Sequence, residues 1–330
     1  MILALTAAVL GMTQAAPQPV AGGPAVTRLE ATSAPARDGT AEDEKLPLTA
    51  LPDLRMTVGV AVGSQGPFRF LVDTAADRSA VSRQMAAKLR LPPGRETVLH
   101  SVTGATRVTT ATIRGMQVAT RTLPDVDAPL LDAAHVGADG ILGTDVLRSA
   151  MVRFDFRDKL LSITPSGRDR PRARDADAIV VEARRREGRL IVTEAQLDGQ
   201  RLTVVLDTGS EVSVGNEALR RALERRGLLR NERPVTLGSV TGSTLPASFM
   251  IAGHLDVGGV TLTGLGIAFA EAHTFKAMRI DDRPALLLGM NALQAFDSLT
   301  IDMAAKKLRF VMPSASAGQL AENNRKPTGG

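Results

Sequence analysis

Two aspartates carry the clearest chemical signal in the chain. Asp73 closes the apolar run Phe70-Leu-Val72 and is followed by Thr74 and Ala75; Asp207 closes Val204-Val-Leu206 and is followed by Thr208 and Gly209. A carboxylate at the end of an apolar strand lies at the edge of a core, where an isolated charge is costly. Two such carboxylates held face to face, about 3 Å apart, cannot both ionise easily and share one proton. The pair then titrates as a unit with two separated apparent pKa values. Its ionised member draws a proton from a bound water, and its protonated member donates to a carbonyl that becomes tetrahedral. A single Asp-Thr-Gly is only a turn signal. Its repetition after two apolar strands is what points to chemistry.

The repetition extends beyond the aspartates. Phe70-Leu-Val-Asp-Thr-Ala-Ala-Asp-Arg-Ser79 matches Val204-Val-Leu-Asp-Thr-Gly-Ser-Glu-Val-Ser213, with the two Asp residues 134 apart. Ser101-Val-Thr-Gly104 matches Ser239-Val-Thr-Gly242 at an offset of 138. Gly140-Ile-Leu-Gly-Thr-Asp-Val-Leu147 matches Leu286-Leu-Leu-Gly-Met-Asn-Ala-Leu293 at 146, and Val152-Arg-Phe-Asp155 matches Leu299-Thr-Ile-Asp302 at 147. Four matches in one order, with a drift of only 13 residues, indicate two homologous lobes, 51–165 and 181–313. The polar, Pro-bearing stretch between them, 166–180, reads as a linker.

Most of each lobe is expected to be strand. Met56–Val62, Phe68–Val72, Leu190–Leu197 and Leu202–Leu206 are short apolar runs rich in β-branched residues, bounded by turn residues. Asp198-Gly199 between two of them is a type I′ hairpin signal. Helical patterns follow each Asp-Thr segment at Ser82–Leu89 and Asn216–Arg226, with Asn216 as an N-cap. Short helices are also expected at Thr144–Arg148 and Met290–Ala295. The fold class is therefore all-β: a bilobal arrangement of two similar β-barrel lobes, each with one or two short helices.

The neighbours of the aspartates suit a paired site. Thr74 and Thr208 can hydrogen-bond across the lobe boundary and keep the two loops in register. Gly209 allows close backbone approach and leaves its N–H for the carboxylate. Ser79 and Ser213, six residues after each Asp, can steady the loops. The triplets Ile141-Leu142-Gly143 and Leu287-Leu288-Gly289 are expected to pass behind them, with glycine permitting the contact. Asp77 and Glu211 are expected on the loop surface or paired with arginines, Asp145 and Asn291 as helix caps or loop pins, and Asp155 and Asp302 as structural residues.

With its hydrophobic-Asp-Thr-Gly/Ala and Leu-Gly-x-Asp/Asn-x-Leu patterns in both halves, the chain resembles the retropepsin-like aspartic peptidases, two copies fused in one chain. Pepsin is a more distant likeness, because these lobes are shorter and no Tyr is available for a pepsin-type flap. The resemblance implies that Asp73 and Asp207 are catalytic. It places flap hairpins that touch substrate at Val102, Thr103 and Gly104, and at Val240, Thr241 and Gly242. It implies an endopeptidase that takes a protein or peptide substrate, needs no cofactor and can act as a monomer. One residue departs from the pattern: Ala75 stands where glycine is usual, and its methyl crowds the partner lobe if the loop is tight, or forbids a positive φ. A catalytically impaired peptide-binding protein that keeps the fold is the alternative.

Composition narrows the field. The net charge is +5, yet aromatic residues are only 3% of the chain, with no Tyr and no Trp. Base-stacking surfaces would be scarce, so nucleic acid is not an expected partner. The absence of cysteine excludes disulfides, thiolate metal sites, a cysteine nucleophile and a lipid-modified cysteine. His100, His135, His254 and His273 lack metal-ligand spacing, so no metal is expected; His100 sits beside the first flap, within reach of a substrate. Walker, dinucleotide and Gly-x-Ser-x-Gly motifs are missing. The apolar start, Met1 to Leu10, followed by Ala15-Ala16-Pro17, resembles a signal peptide over 1–16, though without a preceding basic residue. It is shorter than the about 20 residues that span a bilayer. The expected location is therefore periplasmic or secreted, with a membrane anchor at this segment as the alternative and no other stable insertion. Residues 17–50 read as a disordered leader and 314–330 as a flexible tail.

Overall fold

The computed structural model describes residues 2–3, 7–10, 45–51, 54–118, 121–167, 178–186 and 189–313. Three sheets organise them, with eleven, nine and six strands. Six short helices accompany the sheets among the described residues: α1 (Arg83–Lys88), α2 (Ala133–Val136), α3 (Thr144–Leu147), α4 (Glu217–Arg225), α5 (His273–Ala277) and α6 (Met290–Leu293).

The two larger sheets are the lobes, built by the same logic. In the first, Gln65–Val72 pairs antiparallel with Met56–Val62 and parallel with Gly140–Leu142. In the second, Gln200–Leu206 pairs antiparallel with Arg189–Leu197 and parallel with Ala285–Leu288. The last residues of both central strands are almost fully buried, as their continuous apolar runs demand. Asp198 and Gly199 both have positive φ, 47° and 79°, the geometry of the type I′ turn their sequence requires. Ser82 and Asn216 cap α1 and α4, accepting from the N–H groups of Met85 and Leu219.

A third helix per lobe, α2 and α5, goes beyond the one or two expected. Each spans only four or five residues, too short for a periodic pattern to show in the sequence. Both follow a strand that pairs parallel with the strand just after an Asp loop: Val126–Leu131 with Ala80–Ser82, and Val260–Phe269 with Ser213–Gly215.

The six-stranded sheet joins the lobes. Its centre is Ala150–Asp155 paired antiparallel with Ser298–Asp302, in the register Met151 to Asp302 and Asp155 to Ser298. The fourth sequence repeat thus pairs with its own copy, as a local twofold axis requires. Asp155 accepts from the N–H of Asp158, and Asp302 from those of Ala304 and Ala305, so both close the turns that follow their strands.

Two compositional boundaries shift. Lys45–Pro47 and Thr49–Ala50, read as the end of a disordered leader, are strands; the first pairs with Leu160–Pro165. Leu48 and Leu51 are buried and supply the apolar anchor that a polar-segment reading overlooks. Ile179–Glu182, at the end of the segment read as linker, pairs with Lys307–Val311. At the start of the chain, Ile2–Leu3 runs parallel to Leu99–His100 and Ala7–Leu10 antiparallel to Thr236–Ser239. Residues 11–44, 168–177 and 314–330 lie outside the described residues, and so do most of the leader, much of the linker, the proposed cleavage point and the tail. No helix among the described residues is long and apolar enough to cross a membrane.

Candidate active site

The strand ends bring the two Asp-Thr loops together across the lobe boundary. Thr74 N–H donates to Thr208 Oγ1 at 3.1 Å, and Thr208 N–H to Thr74 Oγ1 at 3.3 Å. Each hydroxyl also reaches a carbonyl of the opposite strand: Thr74 Oγ1 to Leu206 at 3.1 Å, Thr208 Oγ1 to Val72 at 2.6 Å. This reciprocal lattice satisfies buried groups that would otherwise be costly and ties the loops in register.

Asp73 and Asp207 are wholly buried. Asp73 Oδ1 accepts from the N–H groups of Ala75 at 2.8 Å and Ala76 at 2.9 Å, whereas Asp207 Oδ1 accepts from Gly209 N–H at 3.1 Å. The other oxygen of each carboxylate, Oδ2, is buried with no hydrogen-bond partner among the described residues. A Cβ on Gly209 would overlap the carboxyl group of Asp73, so the first carboxylate reaches into the space the second loop leaves open. Burial, partly offset by the Ala75 and Ala76 N–H groups and by Arg189 and Arg55, pushes Asp73 up to about 7. Burial and then the charge of Asp73 raise Asp207 well above the carboxylate range. Burial and a neighbouring like charge both disfavour the ionised form of a carboxyl group.

Ala75 does not break the loop. It is fully buried, packs with apolar residues of the second lobe, keeps its N–H on Asp73, and does not adopt positive φ. Its carbonyl accepts from Arg189 Nε at 2.8 Å, and Arg189 Nη2 pairs with Asp77 Oδ1 at 2.6 Å. Arg189, itself 1% exposed, therefore holds the first Asp loop from the second lobe. Of the two sequence readings of Asp77, loop surface or a pair with an arginine, the structure shows the second. The signal was present: Arg55 and Arg189 each stand 18 residues before their Asp, at the same offset of 134.

The supports behind the loops repeat as well. Ser79 Oγ donates to Asp145 at 2.8 Å and accepts from Gly143 N–H at 3.0 Å. Ser213 Oγ donates to Asn291 at 2.8 Å and accepts from Gly289 N–H at 3.1 Å. Asp145 and Asn291 are thus loop pins; the N-cap positions of α3 and α6 belong to Gly143 and Gly289. A Cβ on Gly143 would meet the backbone of Arg78 at 2.5 Å, and one on Gly289 that of Val212 at 2.6 Å. The Ile141-Leu142 and Leu287-Leu288 segments lie beside the Asp strands, and Leu142 and Leu288 accept the N–H groups of Asp73 and Asp207 at 2.9 and 3.0 Å. Burial raises the Asp145 carboxyl as well.

The segments expected to be flaps are hairpin turns. Val102 and Thr103 join Pro93–Ser101 to Gly104–Ile113, and Val240 to Ser243 join Arg233–Ser239 to Thr244–Val257, with Gly242 at positive φ. Ser101 bonds Thr103, and Ser239 bonds Thr241, both at 3.0 Å. Each flap valine is buried in the opposite lobe: Val102 among Ala272, Phe275 and Val212, and Val240 among Leu131, Val136 and Ile141. His100, beside the first of these turns, meets His273. No group of three or more His, Cys, Asp or Glu side chains that could hold a metal occurs among the described residues.

Fold and site together define a two-lobed aspartic protease architecture. Two family models match the chain: the one described as gag-polyprotein putative aspartyl protease over residues 58–149, and the one described as Aspartyl protease over residues 193–292. The chain thus carries two aspartyl protease domains in tandem, the arrangement of a two-lobed, retropepsin-like fold. No curated protein matches it.

Proposed function

We propose that this chain is an aspartic endopeptidase that hydrolyses peptide bonds with a water activated by Asp73 and Asp207. The observation that carries the reading is the pair of wholly buried carboxylates, each with one oxygen that has no partner among the described residues, on loops locked by reciprocal threonine bonds. The ionised carboxylate removes a proton from water as it attacks the scissile carbonyl, and the protonated one donates to the developing oxyanion. The retained proton then serves the leaving amine. Thr74, Thr208, Ala75, Gly209, Ser79 and Ser213 hold this geometry without touching the reacting atoms. The flap turns at 102–104 and 240–242 cover an extended peptide. Both halves reside in one chain, so a monomer suffices. The apolar start supports export to the periplasm or beyond and, with it, limited cleavage of exported or envelope proteins.

The test is cleavage of a denatured protein mixture between pH 3 and 8 by the parent, Asp73→Asn and Asp207→Asn chains. Both substitutions are expected to reduce cleavage at least about 10³-fold, the scale of lost general acid–base catalysis. Substantial cleavage retained by both variants rejects the pair. A silent parent that still binds peptide favours the impaired, peptide-binding alternative.

A further inference from the structure

The two flaps are held by different means, although each crosses to the other lobe. The second flap packs Gly242 against the imidazole of His135, at N3 of α2. The first has a hydrogen-bonded clasp. Its Val102 carbonyl accepts the N–H of His273 at 2.9 Å, at the first position of α5. Two residues from the turn, His100 Nδ1 lies 2.7 Å from His273 Nε2, the rings within 9° of parallel and their centroids 5.0 Å apart. Backbone, apolar plug and imidazole pair thus join one flap to one helix of the opposite lobe.

We propose that His100 and His273 are positioning residues that hold the first flap closed over the carboxylate pair, and that the hold is released when both imidazoles are protonated. The proposal rests on the peptidase reading for its consequence in turnover, but not for the clasp itself. A neutral imidazole has one N–H donor and one acceptor nitrogen, so two neutral rings make one N–H···N bond. One added proton leaves that bond charge-assisted. A second proton removes the only acceptor and sets two N–H donors and two positive charges against each other at a contact distance. The clasp therefore tolerates one proton and breaks with two.

The surroundings determine how acidic that point is. Burial first, and then His273, lower His100, while Asp77 opposes them. Asp77 is itself held by Arg189. The other charged groups on or beside these elements, among them Arg95 and Glu96 on the strand of His100, Arg107 in Gly104–Ile113, and Glu271, Lys276 and Arg279 around α5, are exposed. Protonation of His100 thus falls on the acid side of the ordinary histidine range. The flap is closed near neutrality and is released in acid.

Amide hydrogen exchange on the full chain carrying Asp207→Asn tests the clasp without any need for activity. The quantity read is protection at the 273 amide and at the 100–106 flap, corrected for intrinsic exchange, from pH 8 to pH 5. Protection is expected to fall about 10-fold or more toward pH 5. His273→Gln, which still offers a hydrogen bond to His100 but does not titrate, is expected to abolish that pH dependence, as is His100→Gln. His135→Gln is expected to leave it intact. Imidazole nitrogen NMR should show coupled titration of the two rings. Protection independent of pH in the parent, or an equal fall in both glutamine variants, overturns the proposal. In the active chain, His273→Gln should change the pH profile of KM more than that of kcat. A protein that never cleaves peptide but shows the exchange pattern would sink the peptidase reading and leave the clasp standing.

Discussion

The first Asp loop reads Asp-Thr-Ala-Ala and the second Asp-Thr-Gly-Ser, and the two are not interchangeable. In the second, the missing side chain at 209 is the space that the Asp73 carboxyl group occupies. In the first, a methyl at 75 is buried against the second lobe, and the carbonyl of that residue is gripped by Arg189. Asp73 accepts the N–H groups of Ala75 and Ala76, and the N–H groups of Gly209 and Ser210 play the same part at Asp207. The difference teaches that a duplicated site needs only one open side. Two carboxyl groups on a twofold axis require room for each other, but a shift of one toward the other's loop satisfies both.

Substitutions can break this asymmetry. Gly209→Ala should have the largest effect, because its methyl and the Asp73 carboxyl group compete for one volume. Overpacking of this kind costs about 1–3 kcal/mol, and displacement of a reacting carboxylate should reduce kcat/KM about 100-fold. Unfolding and peptide-cleavage assays of the same preparation read both; near-parent turnover refutes the shared-space account. Arg189→Met comes next. It leaves Asp77 without its ion pair and the Ala75 carbonyl without its donor, a loss of about 3 kcal/mol by analogy with broken buried pairs, read as a lower denaturant midpoint.

Asp207→Asn should change the pH dependence of stability. A carboxyl whose folded pKa is raised stabilises the fold fully below its unfolded value near 3.8, and the contribution is lost as pH rises through the folded value, about 7 for Asp73. The parent should therefore lose stability between pH 4 and 8. Removing one of the two raised carboxyls should flatten that slope without abolishing it, since burial still acts on Asp73. Thermal melts across this range with identical slopes for parent and variant contradict a coupled pair. Ala75→Gly should do least: it restores the symmetric sequence, loses one buried methyl, and should cost about 1 kcal/mol with turnover changed less than a few fold.

Much of the site was legible because it repeats. Asp73 and Asp207, the threonines, the serines and the Leu-Gly segments occur twice at nearly constant offset, so each copy vouches for the other. Arg55 and Arg189 repeat too, but a common residue 18 positions upstream of an Asp carries no local signal. The central sheet was illegible for a different reason. Val152–Asp155 and Leu299–Asp302 could be recognised as equivalent, but equivalence does not say that copies pair with each other. The strands at 45–50 were hidden at the end of a polar, Pro-bearing segment, with Leu46, Leu48 and the adjoining Leu51 their only mark.

What the amino-acid sequence alone determined is local and periodic: two lobes, their apolar strands, the Asp-Thr loops, the capped helices and the Asp198-Gly199 turn. Each follows from residues close together in the chain, where conformational preference and the alternation of apolar and polar positions act directly. Tertiary structure decided the rest. The burial that raises the carboxyl pair, the reach of Arg189 across the lobes, the exchange of flap valines and the meeting of His100 with His273 all join residues more than a hundred positions apart. Such contacts depend on how two finished lobes dock about an axis, and no short-range preference encodes that docking.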